Sequence, residues 1–186
     1  MTPIEIALLL LLLHGALGAV DTFFHHEWLE RLPERPFAAR ELALHAARSL
    51  AFVLIFSGLA WLEWRGAWGW ALLALLGVES VLTLADSVVE DRTRVLRASE
   101  RINHMLLAMN TGVYTAFVGW QVIAEWRHDA TALVPTRHPL LSGLLTACAI
   151  VIAIWVVRDG LAAVSLARRA TPRDEHGAAA RSLPSG

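Results

Sequence analysis

No lysine occurs in the chain, and only one cysteine; all sixteen basic residues are arginine. The arginine-only usage is read as the codon bias of a GC-rich bacterial genome. With a net charge of -1 and a pI near 6.7, there is no basic surplus of the kind that binds nucleic acid. The lone cysteine, Cys148, lies inside an apolar stretch. That excludes a disulfide framework and a thiolate metal site and leaves it as a packing residue. No glycine-rich phosphate loop, no fixed-period repeat and no serine–histidine–aspartate arrangement stands out. The first twenty residues, MTPIEIALLLLLLHGALGAV, lack the basic flank of a secretory signal and carry Glu5 instead. Ala16-Leu17-Gly18 only loosely imitates a cleavage site, so the run is read as a retained first span.

What the chain does have is apolar length. Of its 186 residues, 56% are hydrophobic, and the mean hydropathy is +0.50, too high for an ordinary soluble domain. Five apolar segments, near 3–25, 40–62, 67–91, 101–125 and 139–160, reach the roughly 20 helical residues that cross a hydrocarbon core. Backbone amides in hydrocarbon must pair within their own segment, which dictates helices. The expected fold is an all-α integral membrane protein with about five transmembrane helices, four of them forming a polar-cored bundle. Residues 1–170 make one transmembrane domain, and the small, polar residues 171–186 a disordered cytoplasmic tail.

Thirteen arginines fall on one side of these spans, against Arg65, Arg127 and Arg137 on the other. The positive-inside bias places the N-terminus outside and the C-terminus in the cytoplasm. Trp61, Trp64, Trp68, Trp70, Trp120 and Trp126 gather at the opposite, outer interface as an aromatic belt would. The expected location is the bacterial cytoplasmic (inner) membrane, crossed several times and in contact with membrane lipids.

That orientation brings the ionisable residues into order. Asp21 and His25 close helix 1, Glu41 and His45 open helix 2, Asp86 and Glu90 close helix 3, and Glu100 and His104 open helix 4. Each pair is spaced i, i+4, hence on one helical face, and all four sit at the cytoplasmic end. Together they would offer three imidazoles and five carboxylates to a common centre. Such a donor set suits iron, manganese or zinc and lacks the sulfur that copper(I) favours. Five carboxylates in a dry pocket need cations; two divalent metal ions, with iron as the expected element, would supply them. The arrangement is similar to the di-iron carboxylate bundles of the ferritin-like class, which use Glu-x-x-His; here the repeats are Glu-x-x-x-His, in ELALH and ERINH, and no family is assigned. His26 points about 100° from His25 on a helix and is held as a reserve ligand that would join only if the helix unwinds there. Glu27 and Glu30 are read as solvated.

Bland readings stand beside these. Glu41 and Glu100 lie in first turns, where a carboxylate complements the helix dipole, and Glu90 has Arg94 four residues on. The arginines of the 92–101 turn are read as topology markers, with an anionic lipid headgroup or a donor protein as the alternative. His14 and Glu79 lie near the middle of helices 1 and 3, where a charge is costly. They are expected to pair and to serve in catalysis, as proton path or substrate pocket, or as an isolated buried hydrogen bond. Asn110, Thr111, Thr115 and Gln121 are expected to bond between helices, and helix 5 is expected only to pack.

The functional expectation is a di-metal membrane oxidoreductase of the hydroxylase, desaturase or oxygenase type. It would act with dioxygen on a hydrophobic, lipid-like small molecule and draw electrons from a cytoplasmic donor. Three alternatives remain open: a zinc-dependent membrane hydrolase, a b-type haem electron-transfer protein with His45 and His104 as axial ligands, and a metal or proton transporter.

Overall fold

A computed structural model describes residues 1–136 and 138–181, with side chains described up to 169. Of the expected tail at 171–186, the side chains lie outside the described residues, and so do residues 182–186 altogether.

Five helices are long and apolar enough to cross a membrane. Helix α1 spans Pro3–Val20, α2 Ala39–Trp61, α3 Ala67–Thr93, α4 Ala98–Ala124 and α5 Pro139–Arg181. The start of α1 is set by a capping box. Thr2 Oγ1 accepts from the Glu5 amide and Glu5 Oε2 accepts from the Thr2 amide, with Pro3 in the first turn, which satisfies donors that a helix start leaves free. Beyond Val20 the chain does not stop at the α-helix end. It continues as a π-helix over Asp21–Glu30, closed by Arg31 in the left-handed region at φ 51°.

The helices pack as pairs. α1 lies against α4 and α5, and α2 lies against α3 and most extensively against α5, whereas α3 and α4, consecutive in the chain, barely touch. At the tryptophan-rich end, Leu8, Leu11, Ile55, Phe56, Leu72 and Tyr114 belong to one apolar cluster from α1 to α4, and Leu145 joins it from α5. Polar side chains stitch this packing. Asn110 donates to the Leu10 carbonyl across α4 and α1 at 2.9 Å, and Ser142 donates to the Ala60 carbonyl across α5 and α2. Gln121 departs from expectation: its amide donates to Glu125 one turn on in the same chain segment, because a nearby carboxylate outcompetes a distant helix.

Not foreseen was a small antiparallel sheet at that end, in which β1 (Leu62–Arg65) pairs with β2 (Ala132–Pro135), Leu62 opposite Pro135 and Arg65 opposite Ala132. Arg65 ties it together, reaching Glu63 at 2.6 Å and Asp129 at 3.0 Å. Gly66 then turns the chain into α3 at φ +60°, with a Cβ position only 2.6 Å from Thr131 Cα; no other residue type fits there.

Candidate metal centre

The arginine-rich end of the bundle holds a buried polar site built in two halves. The first half belongs to α1 and α4. In α4, Glu100 and His104 share a face at i, i+4. In the π-helix, bonding runs to the fifth residue instead of the fourth, so His25 and His26 both come within reach of Asp21, and His26 is the one that also approaches Glu100. Asp21, His26, Glu100 and His104 thus converge as one group with the spacing to hold a metal ion. His104 Nε2 lies 3.1 Å from Asp21 Oδ2, and His26 Nε2 lies 3.6 Å from both Asp21 Oδ2 and Glu100 Oε1.

His25, expected as a ligand, is turned to another task. Its Nδ1 sits 3.2 Å from Asp21 Oδ1 and its Nε2 3.2 Å from Ser99 Oγ, so both ring nitrogens are engaged. Asn103 donates to the same Asp21 oxygen at 3.2 Å. Asp21 therefore has one oxygen held from behind and the other, Oδ2, facing His26 and His104. His26, held in reserve on the sequence, belongs to the metal-spaced group, and His25 does not.

The second half belongs to α2 and α3. His45 Nε2 lies 3.1 Å from Asp86 Oδ2 and 3.4 Å from Glu90 Oε1. The His26 and His45 rings stack with centroids 4.5 Å apart and planes 5° apart, which joins the halves. Glu90 spans them as well, with Oε1 toward His45 and Oε2 3.5 Å from His104 Nδ1. His26, His45 and Glu90 make a second group of metal-holding spacing.

Two arginines complete the site. Arg94, in the turn between α3 and α4, folds inward onto Glu41 at 3.1 Å, Glu90 at 3.4 Å and Glu100 at 2.7 Å. Burial works against its charge, but the hydrogen bonds to Glu100 and the charges of Glu41 and Glu90 outweigh burial and raise its pKa. Arg48 on α2 reaches Asp86 Oδ2 at 2.8 Å. Glu41 is thereby an anchor for Arg94; it also accepts from Thr93 Oγ1 at 3.4 Å and belongs to neither metal-spaced group. Arg94 meets Glu90 as the bland reading of that pair expects, whereas Arg48 enters the sequence reading only through the positive-inside count. A signal for Arg48 was present: in ELALHAAR it follows His45 by three residues, on the same helical stripe. Glu27 and Glu30, expected to be solvated, are ion-paired with Arg158 of α5 and with Arg97 respectively, so α5 does more than pack.

Asp21, Glu41, Asp86, Glu90 and Glu100 are each at most 2% exposed. Five carboxylates against two guanidinium groups leave three negative charges. Charges withdrawn from water this fully cost several kcal/mol each unless compensated, so the remainder falls to protonated imidazoles among His26, His45 and His104 or to a bound cation.

His14 and Glu79 do not pair as expected. Asn110 donates to His14 Nδ1 at 3.4 Å, and the His14 ring lies over Phe52 at 4.6 Å. Glu79 Oε1 accepts from Thr83 at 2.6 Å, while its Oε2 is buried without a hydrogen bond. Both residues line a cavity of about 800 Å³ whose wall also includes Asp21, His104 and Arg48. The cavity thus runs from the middle of the bundle to the polar site. No family model, curated protein or solved structure matches the chain.

Proposed function

We propose that the two halves form a two-metal centre of an integral membrane oxidoreductase in the bacterial inner membrane, with the arginine-rich end in the cytoplasm. One observation carries the reading. His26 Nε2 is buried without a hydrogen bond, yet three carboxylate oxygens surround it at 3.6, 3.6 and 3.9 Å. Those separations are too long for hydrogen bonds. They are near those of neighbouring donors around one ion, which with bonds of 2.0–2.2 Å sit about 3 to 3.5 Å apart.

Asp21, His26, Glu100 and His104 would hold one ion, and His45 and Glu90 the other, with Glu90 offering one oxygen toward each and Asp86, which belongs to neither metal-spaced group, held against His45 and Arg48. Two divalent ions would balance the three uncompensated charges, leaving one positive charge. Imidazole with carboxylate suits iron first, then manganese or zinc. The adjoining wall is largely apolar, as a C–H substrate needs. The reaction class is oxidation of a hydrophobic, lipid-like molecule with dioxygen. For a hydroxylation, one dioxygen, two electrons and two protons are consumed; one oxygen atom enters the C–H bond and the other leaves as water. The electrons come from a cytoplasmic donor.

The haem alternative fits the geometry poorly, because Glu90 lies against both His45 and His104 where a macrocycle would have to sit. A transport path fits poorly too, since the far half of the bundle is filled by the apolar cluster. Metal analysis of purified protein decides. About two equivalents of iron, lost in a His26→Ala/His104→Ala variant, supports the reading. Zinc in their place moves it to hydrolysis by metal-activated water. A strong Soret band, or no metal at all, refutes it.

A further inference from the structure

The cavity between the bundle centre and the metal groups has an asymmetric wall. Leu84 and Ser87 on α3 and Ala108 and Gly112 on α4 line it and are exposed, and α3 and α4 barely touch. On the α1–α5 side Ala16, Ala147 and Val151 also line it and are exposed, but there the Phe23 and Trp155 rings meet edge to face at 4.7 Å and the helices touch more than α3 and α4 do. The α3–α4 side is the less closed of the two, and it faces sideways, toward lipid.

Within this apolar space two polar groups are held in reserve. Glu79, 1% exposed, leaves Oε2 unpartnered. The protonation of His14 follows from its neighbour. Asn110 Nδ2 donates to the Leu10 carbonyl, which can only accept, so the same NH2 group faces His14 Nδ1. Nδ1 is then the acceptor nitrogen, and neutral His14 carries its proton on Nε2, which makes no hydrogen bond to any described residue. One acceptor and one donor thus stand free in the wall of an apolar cavity, and burial makes the missing partner of Glu79 Oε2 costly to omit.

We infer that this cavity is a binding site for a single-chain lipid bearing a hydroxyl group, entering between α3 and α4. Its hydroxyl donates to Glu79 Oε2 and accepts from His14 Nε2. A hydroxyl can donate to a carboxylate oxygen and accept from an imidazole N–H, whereas a plain hydrocarbon can do neither. At about 30 Å³ per heavy atom, the liquid volume of a water, 800 Å³ holds roughly 25 heavy atoms, enough for one chain and too few for a two-chain phospholipid. Glu79 and His14 each precede a metal-facing residue, Asp86 and Asp21, by seven positions, or about 10 Å of helix. An anchored hydroxyl therefore leaves part of the chain directed at the metal groups. That this lipid is the substrate rests on the metal-centre reading; that it binds does not.

The test compares hexadecan-1-ol with hexadecane on delipidated protein, by native mass spectrometry and thermal shift, with metal content measured on the same samples. The parent should bind the alcohol about tenfold more tightly, the worth of one or two buried hydrogen bonds. Glu79→Leu should abolish that preference, as should His14→Phe if the first variant folds poorly. Gly112→Leu, at a position with no atom within 4 Å of its Cβ, should weaken both ligands while keeping metal. Equal binding of alcohol and alkane by the parent, or undiminished binding by Gly112→Leu, overturns the inference. Alcohol preference in metal-free protein upholds the lipid site and sinks the metal centre; metal without preference does the reverse.

Discussion

Adjacent histidines offer a sharp test of how the site is built, because His25 and His26 differ only in which way the π-helix turns them. His26 aims at three carboxylate oxygens and makes no hydrogen bond, whereas His25 braces Asp21 and Ser99. Structural zinc sites bind with about 10–16 kcal/mol in total, so one of four ligands is worth roughly 3 kcal/mol, a loss of more than a hundredfold at 1.4 kcal/mol per decade. A residue that orients a ligand is worth about 10- to 100-fold, and Asp21 keeps its Asn103 hydrogen bond without His25, which puts His25 at the low end. His26→Ala should therefore lose metal affinity by more than a hundredfold and His25→Ala by about tenfold. The assay is competition against a chromophoric chelator in detergent, with metal-to-protein ratios measured after dialysis. His26→Ala should leave the metal-free fold near its original stability, since it removes no hydrogen bond and only a ring stack on His45. If His25→Ala costs as much affinity as His26→Ala, or if His26→Ala keeps its metal, the π-helical register is not what builds the site.

Other outcomes follow from the same geometry. Arg94→Met leaves Glu41, Glu90 and Glu100 without their shared partner and should cost about 3–5 kcal/mol, read as a lower melting temperature in chelator that added metal partly restores. Gly66→Ala would drive a Cβ to 2.6 Å from Thr131 Cα at a positive φ. It should destabilise the β1–β2 end by at least about 1–3 kcal/mol in thermal melts while leaving metal content unchanged. A fluorescent protein fused after the C-terminus should fluoresce and an alkaline phosphatase fused there should stay inactive; the opposite pair of results would reverse the orientation read from the arginines.

The legible part of this protein was periodic. Apolar length marked five helices, and their starts and ends lie within a few residues of the expected spans except where α1 continues as a π-helix and α5 runs on to Arg181. The i, i+4 spacing brought Glu100 with His104 and Asp86 with Glu90 to one end, because 3.6-residue geometry is a local property. At 21–30 it still brought His25 to Asp21, but the π-helix also carries His26 into the metal-spaced group, and nothing in DTFFHHEWLE announces that change. A rare helix type at a polar cluster is a recurrent mark of functional sites, and here it decides which of two neighbouring histidines faces the carboxylates.

The sequence by itself determined the helices, the gathering of acids and histidines at one end, and the charge surplus that must be compensated. These follow from residue spacing and desolvation, which need no partner helix. Only the tertiary structure decided which cations answer those acids, since Arg94 reaches three carboxylates from three different segments and Arg48 crosses from α2 to α3. It also decided that His14 and Glu79 face a cavity and not each other. Whether two side chains meet depends on the rotation and depth of the helices that carry them, and those are set by packing between helices far apart in the chain.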